Sequence, residues 1–362
     1  MKLMKTTEAV GQVLCHDITQ IIPGVKKDAV FRKGHIITKE DIPVLLSVGK
    51  DTIYIWENDE TMMHENEAAE VLYRMSACGT KKIEADTQSG VSCGTASKMH
   101  PSSVKEGKIE VIADCDGLLK VDSKKLEKVN SFGELMIATR HGNTTVKKGD
   151  KLAGTRIIPL VIKKDKLKEA SNICEDGSIL DIKPFVVRKA AIITTGNEVY
   201  HGRIQDAFTP VIEKKIAEFG AQMMFHEVFD DDDKKITDGC LRAIEAGAEI
   251  VFCTGGMSVD PDDKTPLAIK NTGARIVSYG SPVLPGAMFL LSYYDAGDRL
   301  VPICGLPGCA MYNKRTIFDI VLPRLMARDM IYADELAGLG EGGLCLNCDV
   351  CTFPNCGFGK GF

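Results

Sequence analysis

From Arg188 onward the chain repeats one pattern: a short apolar run, a turn containing glycine, then a segment long enough for a helix. Residues 190–194 end in Thr195-Gly196, residues 249–253 in Thr254-Gly255-Gly256, and residues 301–304 in Gly305-Leu306-Pro307-Gly308. A further strand is expected over 222–228. Helical spacing is expected over 209–219, stopped by Gly220, and over 236–246, stopped by Gly247. Parallel neighbours need a long, usually helical crossover, and such crossovers are almost always right-handed. The pattern therefore predicts an α/β fold, a three-layer and mainly parallel sheet. Residues 275–278 and 287–292 are expected to pair as strands. A helix over 313–327 closes the domain, with Pro323 near its middle as a kink.

The first half reads differently. Short β-branched runs alternate with Pro and Gly, as at Pro23-Gly24 and Lys33-Gly34, up to about Trp56. Strands are expected over 108–113, 118–121, 135–139 and 157–162, with the 146–154 segment resembling a turn in a small barrel. Helices are expected over 38–46 and 64–75. The 76–104 segment shows no period and is expected to be loop or ligand-facing, and 163–169 is a solvated stretch or linker helix. The expected divisions are 1–60, a β-rich region; 61–184, a mixed and barrel-like linker region; 185–330, the α/β domain; and 331–362, a Gly- and Cys-rich tail with no room for a core of its own.

Lys and Arg number 45 against 50 Asp and Glu, a net charge of −5. That balance argues against a nucleic-acid coat or a polybasic membrane anchor. No run reaches the roughly 18 apolar residues of a spanning helix, and residues 1–17 lack the apolar core of a signal peptide. The expectation is a cytoplasmic protein with no membrane or nucleic-acid partner, in which clustered thiols serve metals or redox chemistry more readily than disulfides.

Strand ends of an open α/β sheet share one edge, where ligands bind. Glycine lets backbone approach a ligand, and N–H groups ahead of a helix favour phosphate or another anion. Thr195, Gly196, Thr254, Gly255, Gly256, Ser258, Gly305, Pro307 and Gly308 are the binding candidates. The same turns carry acids: Glu198 after the first strand, Asp230 to Asp233 after the second, and Asp260, Asp262 and Asp263 after the third. Carboxylates beside phosphate suit a bridging magnesium ion; the alternative is helix capping, expected at Asp232 or Asp233. No His-based metal motif, GxSxG, P-loop or GxGxxG is present. Cys304 is expected to be core, and Cys309 is the more exposed thiol, with a nucleophilic role open.

The tail spells C-x2-C-x2-C-x4-C through Cys345, Cys348, Cys351 and Cys356. Four thiolates in twelve residues suit a soft metal, either tetrahedral zinc or an iron–sulfur cluster. The consecutive x2 spacings look more like a cluster loop than a zinc ribbon, and the x4 step departs from the bacterial ferredoxin run.

Taken in order, TTGNEV (194–199), the paired Asp before a helix, TGGMSVDPDD (254–263), Pro285-Gly286 and GLPG (305–308) resemble the molybdopterin-binding domain of the MoeA family, the molybdopterin molybdenumtransferases related to the gephyrin E domain. The resemblance covers about 188–328. It implies magnesium-dependent insertion of molybdenum from molybdate into adenylylated molybdopterin, with release of AMP, in a homodimer. It assigns catalytic roles to Glu198, Asp231, Asp232 and Asp263, magnesium to Asp231 and Asp263, and binding-loop roles to Gly255, Gly256, Ser258, Pro307 and Gly308. This chain has Asp260 where the family usually has Gly, Phe208 where it has Asn, and Cys309-Ala310 after GLPG. Leu284 and Ala287 stand where the family tends to carry basic residues beside the Pro-Gly turn, and no Asp-Gly-Tyr-Ala segment occurs. The alternative reading is a non-catalytic carrier, store or sensor of the cofactor.

Overall fold

A computed structural model describes residues 2–22, 26–55, 59–79, 98–258, 260 and 263–361. Two compact units divide the chain: residues 1–114, 121–140 and 149–181 form one, and residues 115–120, 141–148 and 182–362 form the other.

The second unit is organised by six strands: β1 (Lys189–Thr195), β2 (Gln222–Phe229), β3 (Ile250–Thr254), β4 (Arg275–Tyr279), β5 (Leu290–Asp295) and β6 (Leu300–Leu306). Their spatial order is β2-β1-β3-β6-β5-β4. β1 pairs in parallel with β2 and β3, and β3 with β6. β5 runs antiparallel to both β6 and β4. The sheet is therefore mixed and mainly parallel. Its antiparallel side follows from chain length: only four residues join β5 to β6, far too few for a crossover.

Alternate residues of β1 enter opposite cores, as a period of two requires. Ile192 packs with Ile212 and Ile216 of α2 (Thr209–Ala217) and Phe318 of α5 (Ile317–Met326). Ile193 packs with Ile236 and Cys240 of α3 (Asp233–Glu245) and Ile269 of α4 (Thr265–Asn271). Helices on both faces explain why β3 is buried along its whole length. A four-residue helix, α1 (Asn197–Tyr200), follows β1 directly.

The closing helix starts at Ile317, not at 313. The Thr316 hydroxyl accepts the Phe318 N–H at 3.2 Å and the Asp319 carboxylate accepts the Thr316 N–H at 2.9 Å, a capping box that leaves 311–316 as loop. Pro323 lies inside α5, where it removes one intrahelical donor.

Residues 331–362 do not stand apart. Ile331, Leu336 and Phe358 are buried in the same core as Phe318 and Val321, so a segment too short for its own core borrows that of the α/β domain. It contributes α6 (Ala333–Gly338). Its backbone also meets the Pro285 turn: the Leu284 N–H donates to the Gly343 carbonyl and the Cys345 N–H to the Leu284 carbonyl, both at 2.8 Å.

The first unit is β-rich, in small open sheets rather than a closed barrel among the described residues. Lys108–Ala113, Lys151–Ile157 and Leu135–Thr139, with Met99–Pro101 at one edge, form a four-stranded sheet. Lys2–Lys5 pairs with Thr52–Ile55, and Ile18–Ile22 with Lys26–Phe31. The expected helices appear as Asp41–Ser47 and Glu65–Ala77, and the mixed-charge stretch as Lys164–Asn172. Ser123–Ser131 is an additional helix, started by the Asp122 carboxylate accepting the Lys125 N–H at 3.0 Å. The Pro23-Gly24 turn, Trp56 and residues 80–97 of the 76–104 segment lie outside the described residues. No helix among the described residues is long and apolar enough to cross a membrane.

Candidate functional site

Parallel pairing puts the ends of β1, β3 and β6 side by side, with Thr194 opposite Thr254 and Thr254 opposite Leu306. The turns that follow then interlock. The Thr195 hydroxyl donates to the Thr254 carbonyl at 3.1 Å and meets the Thr265 hydroxyl at 3.0 Å, and Thr265 in turn donates to the Gly255 carbonyl at 2.8 Å. Gly255 has φ +82°, and a Cβ there would fall 2.1 Å from the Thr195 carbonyl oxygen. Only glycine fits this crossing of two turns. Met257 lies against Gly305, linking the second turn to the end of β6 just ahead of the third. The Tyr279 hydroxyl donates to the Met257 carbonyl at 3.2 Å and lies 3.5 Å from that of Ser258. Thr195, Gly196, Thr254, Gly255, Gly256, Ser258 and Gly305 are thus one edge. Pro307 and Gly308 lead from it into a short 3-10 turn, Gly308–Ala310.

The acids divide by task. Asp231 accepts the Asn197 N–H at 3.1 Å and so joins the end of β2 to the turn that carries Glu198. Asp232 accepts the Lys234 and Lys235 N–H groups at 2.9 and 3.2 Å and is the cap of α3. Asp233 accepts from the Asn271 amide at 3.1 Å. Asp230 pairs through one oxygen with Lys235 at 2.7 Å. Its other oxygen, and the Thr254 hydroxyl, are buried without a hydrogen-bond partner among the described residues. Buried polar atoms are ordinarily paired, and these two have no partner among the described residues at the ends of β2 and β3. Asp263 faces Tyr279, whose phenol is pushed up first by burial and then by that carboxylate. Asp262, with Val259 and Pro261, lies outside the described residues. No group of three or more His, Cys, Asp or Glu side chains among the described residues converges as a metal site.

One polar cluster beneath this edge was not singled out from sequence. Asp206 accepts from the hydroxyls of Thr194 at 2.8 Å and Thr209 at 2.6 Å, and from the N–H groups of Phe208 and Thr209 at 2.8 and 3.1 Å. His226 Nε2 lies 3.5 Å from the same carboxylate. Burial alone would raise the Asp206 pKa, and these hydrogen bonds outweigh it and hold the carboxyl below its ordinary range. The available signal was an Asp three residues ahead of Thr209-Pro210, a helix-start pattern.

Cys304 is buried in the core, where burial pushes its thiol up strongly. Burial also pushes up the half-buried Cys309. A raised thiol is a poor nucleophile at neutral pH, which removes the case for Cys309 as an activated one.

The four tail cysteines, Cys345, Cys348, Cys351 and Cys356, line one cavity of about 430 Å³, together with Lys314, Arg315 and Phe353. The Arg315 guanidinium lies 5.0 Å from the Phe353 ring centre. The Phe353 N–H, and then Arg315, hold the Cys351 thiol below its ordinary value against a small opposing effect of burial.

Residues 191–327 match the profile of a family described as "Probable molybdopterin binding domain". The α/β unit carries a molybdopterin-binding domain. Residues 3–57 match a second family, described as "Domain of unknown function (DUF8806)". The "Putative competence-damage inducible protein" of Bacillus velezensis is 29% identical over 90 residues, which cover 25% of this chain and 21% of that protein. The molybdopterin molybdenumtransferase of Staphylococcus epidermidis is 26% identical over 156 residues, 41% of this chain and 37% of its own. The chain thus spans well under half the length of these curated relatives. The tungsten cofactor synthesizing protein MoaB of Pyrococcus furiosus is 18% identical, with a TM-score of 0.30 over 39% of this chain and 89% of that one. What the matches support is a molybdopterin-binding domain over residues 191–327, a coarser relationship than membership of the MoeA family.

Proposed function

We propose that the molybdopterin-binding domain holds a pterin phosphate or adenylate on the carboxyl edge of its sheet and inserts molybdenum from molybdate into adenylylated molybdopterin, releasing AMP. The observation that carries the reading is the interlocked edge itself. Three glycine turns meet there beside Glu198 and Asp231, with a buried oxygen of Asp230 and the Thr254 hydroxyl without a partner among the described residues. The backbone of the turns would bind phosphate oxygens, and Thr195 and Thr265 hold those turns in register.

Magnesium fits this donor set in one particular way. Hard oxygen donors are present, yet among the described residues no three carboxylates converge. Magnesium commonly takes one or two carboxylates and completes its shell with water and substrate phosphate. Asp231 and Asp263 would hold it and Glu198 would face the phosphate, while Asp232, used as the α3 cap, acts by positioning the loop. When bound, the ion would stabilise charge on the departing phosphate.

A second reading, a carrier or sensor that binds the pterin without turnover, is favoured by the Pro285 turn. Leu284 and Ala287 bring no positive charge, and tail backbone already occupies both polar groups of Leu284. Molybdate would need such charge or free N–H donors. The deciding experiment gives the full-length protein adenylylated molybdopterin, molybdate and magnesium. AMP release that Asp263→Ala abolishes supports the transferase, whereas tight pterin binding without AMP establishes the carrier. Absence of both rejects the site. Homodimerisation, expected from the resemblance, would be read by sedimentation of the same preparation.

A further inference from the structure

We infer that the tail cavity is an iron–sulfur cluster site ligated by Cys345, Cys348, Cys351 and Cys356. Four cysteines spread over twelve residues all line a single cavity of about 430 Å³. That is the first requirement of any shared metal centre.

The arrangement then selects among metals. A lone zinc needs four sulfurs about 2.3 Å from one point, and no three of these side chains converge in that way. A cubane carries its own bridging sulfides and occupies volume, so its ligands stand apart around a space. Cysteines that line a cavity without converging on one point leave room for the second geometry. The backbone agrees: Asn347, between the first two cysteines, has φ +51°, a left-handed turn that lets an x2 spacing curl around a centre.

Charge points the same way. A cluster with four thiolates is net negative, and cluster sites are tuned by nearby charge and hydrogen bonds. Lys314 and Arg315 line the cavity, and Arg315 is fixed by the Asp319 carboxylate at 2.9 Å. Phe353 supplies an apolar wall. Burial of Phe358 and Leu336 anchors the loop to the α/β core, so the cavity is built on a rigid base.

The test is anaerobic reconstitution of the full-length chain with ferrous iron and sulfide, followed by iron and sulfide analysis, visible absorption and Mössbauer spectroscopy. The site predicts about four iron and four sulfide per chain in a thiolate-ligated cubane, with iron falling below about one per chain in Cys348→Ser or Cys351→Ser. These two cysteines are exposed, and circular dichroism confirms that the variants fold. Arg315→Gln keeps every ligand and is expected to leave iron content intact while lowering the reduction potential. A colourless protein holding a single zinc overturns the inference. So does failure to take up iron, or uptake that the serine variants do not reduce. None of these readouts involves pterin or AMP, so the cluster stands or falls separately from the proposed reaction.

Discussion

The Asp231 carboxylate accepts the backbone N–H of Asn197 at 3.1 Å, tying the end of one strand to the glycine turn of its neighbour. This contact fixes the turn that carries Glu198 and places a carboxylate at the proposed phosphate position. Asp231→Ala removes both effects. Pterin affinity in the presence of magnesium is expected to fall at least tenfold, with folding stability lowered by about 1 kcal/mol, the ordinary value of one partly exposed hydrogen bond. Calorimetric titration and urea denaturation measure the two quantities. A large stability loss with unchanged affinity would make Asp231 purely structural.

Gly255→Ala places a methyl group 2.1 Å from the Thr195 carbonyl oxygen on a backbone with φ +82°. The left-handed conformation alone costs about 1–2 kcal/mol for an L-residue, and the clash raises the total to several. Gly202→Ala is the control, having φ +66° and open space around it, and should lose only about 1 kcal/mol. Equal losses in the two variants would show that the turns do not cross as described.

Asp329 is buried and contacts Lys120 at 2.8 Å, Lys183 at 2.5 Å and Arg324 at 2.7 Å. Burial pushes its pKa up, and the hydrogen bonds from Lys120 and Lys183, with the charge of Arg324, outweigh it and bring it down to about 2. The unfolded value is about 3.9. A carboxyl depressed by folding contributes stability above its unfolded pKa and loses it as pH falls through the folded value. The contribution is therefore complete above about pH 5 and gone below about pH 2, worth roughly 2 kcal/mol. Asp329→Asn should lose about that amount at neutral pH, since Lys120 and Lys183 lose their carboxylate partner while Arg324 keeps Glu335 at 2.8 Å. Urea midpoints between pH 7 and 2 should show a flatter acid limb in the variant; a parallel slope would contradict the assignment.

Tyr279→Phe deletes the hydroxyl that holds the Met257 carbonyl at 3.2 Å. Stability should change by about 1 kcal/mol or less. Pterin affinity should drop several-fold, because the loop after β3 loses its anchor on β4. Fluorescence titration decides, and an unchanged affinity would place that loop outside the binding site.

The strand–turn–helix pattern from Arg188 was enough to place β1, β2, β3 and β6 and to put the glycine turns after β1, β3 and β6 on one edge. Periodicity and chain length are local properties, and local hydrophobic spacing determines them. The same reasoning could not tell which acids remain available. Asp232 reads like Asp231 in sequence, yet one caps α3 and the other bonds a neighbouring turn, a distinction set by where β2 ends against β1. The start of α5 shifted because the Thr316–Asp319 box outweighs the apolar spacing before it.

By itself the sequence determined that four cysteines crowd the last eighteen residues and that those residues cannot form a core. The tertiary structure decided what becomes of them. Phe358 and Leu336 insert beside Phe318, the segment folds back along Leu284, and the thiols come to share one cavity with Arg315. Such contacts join residues far apart in the chain, and their geometry follows from burying the tail's apolar side chains in a core that another part of the sequence builds.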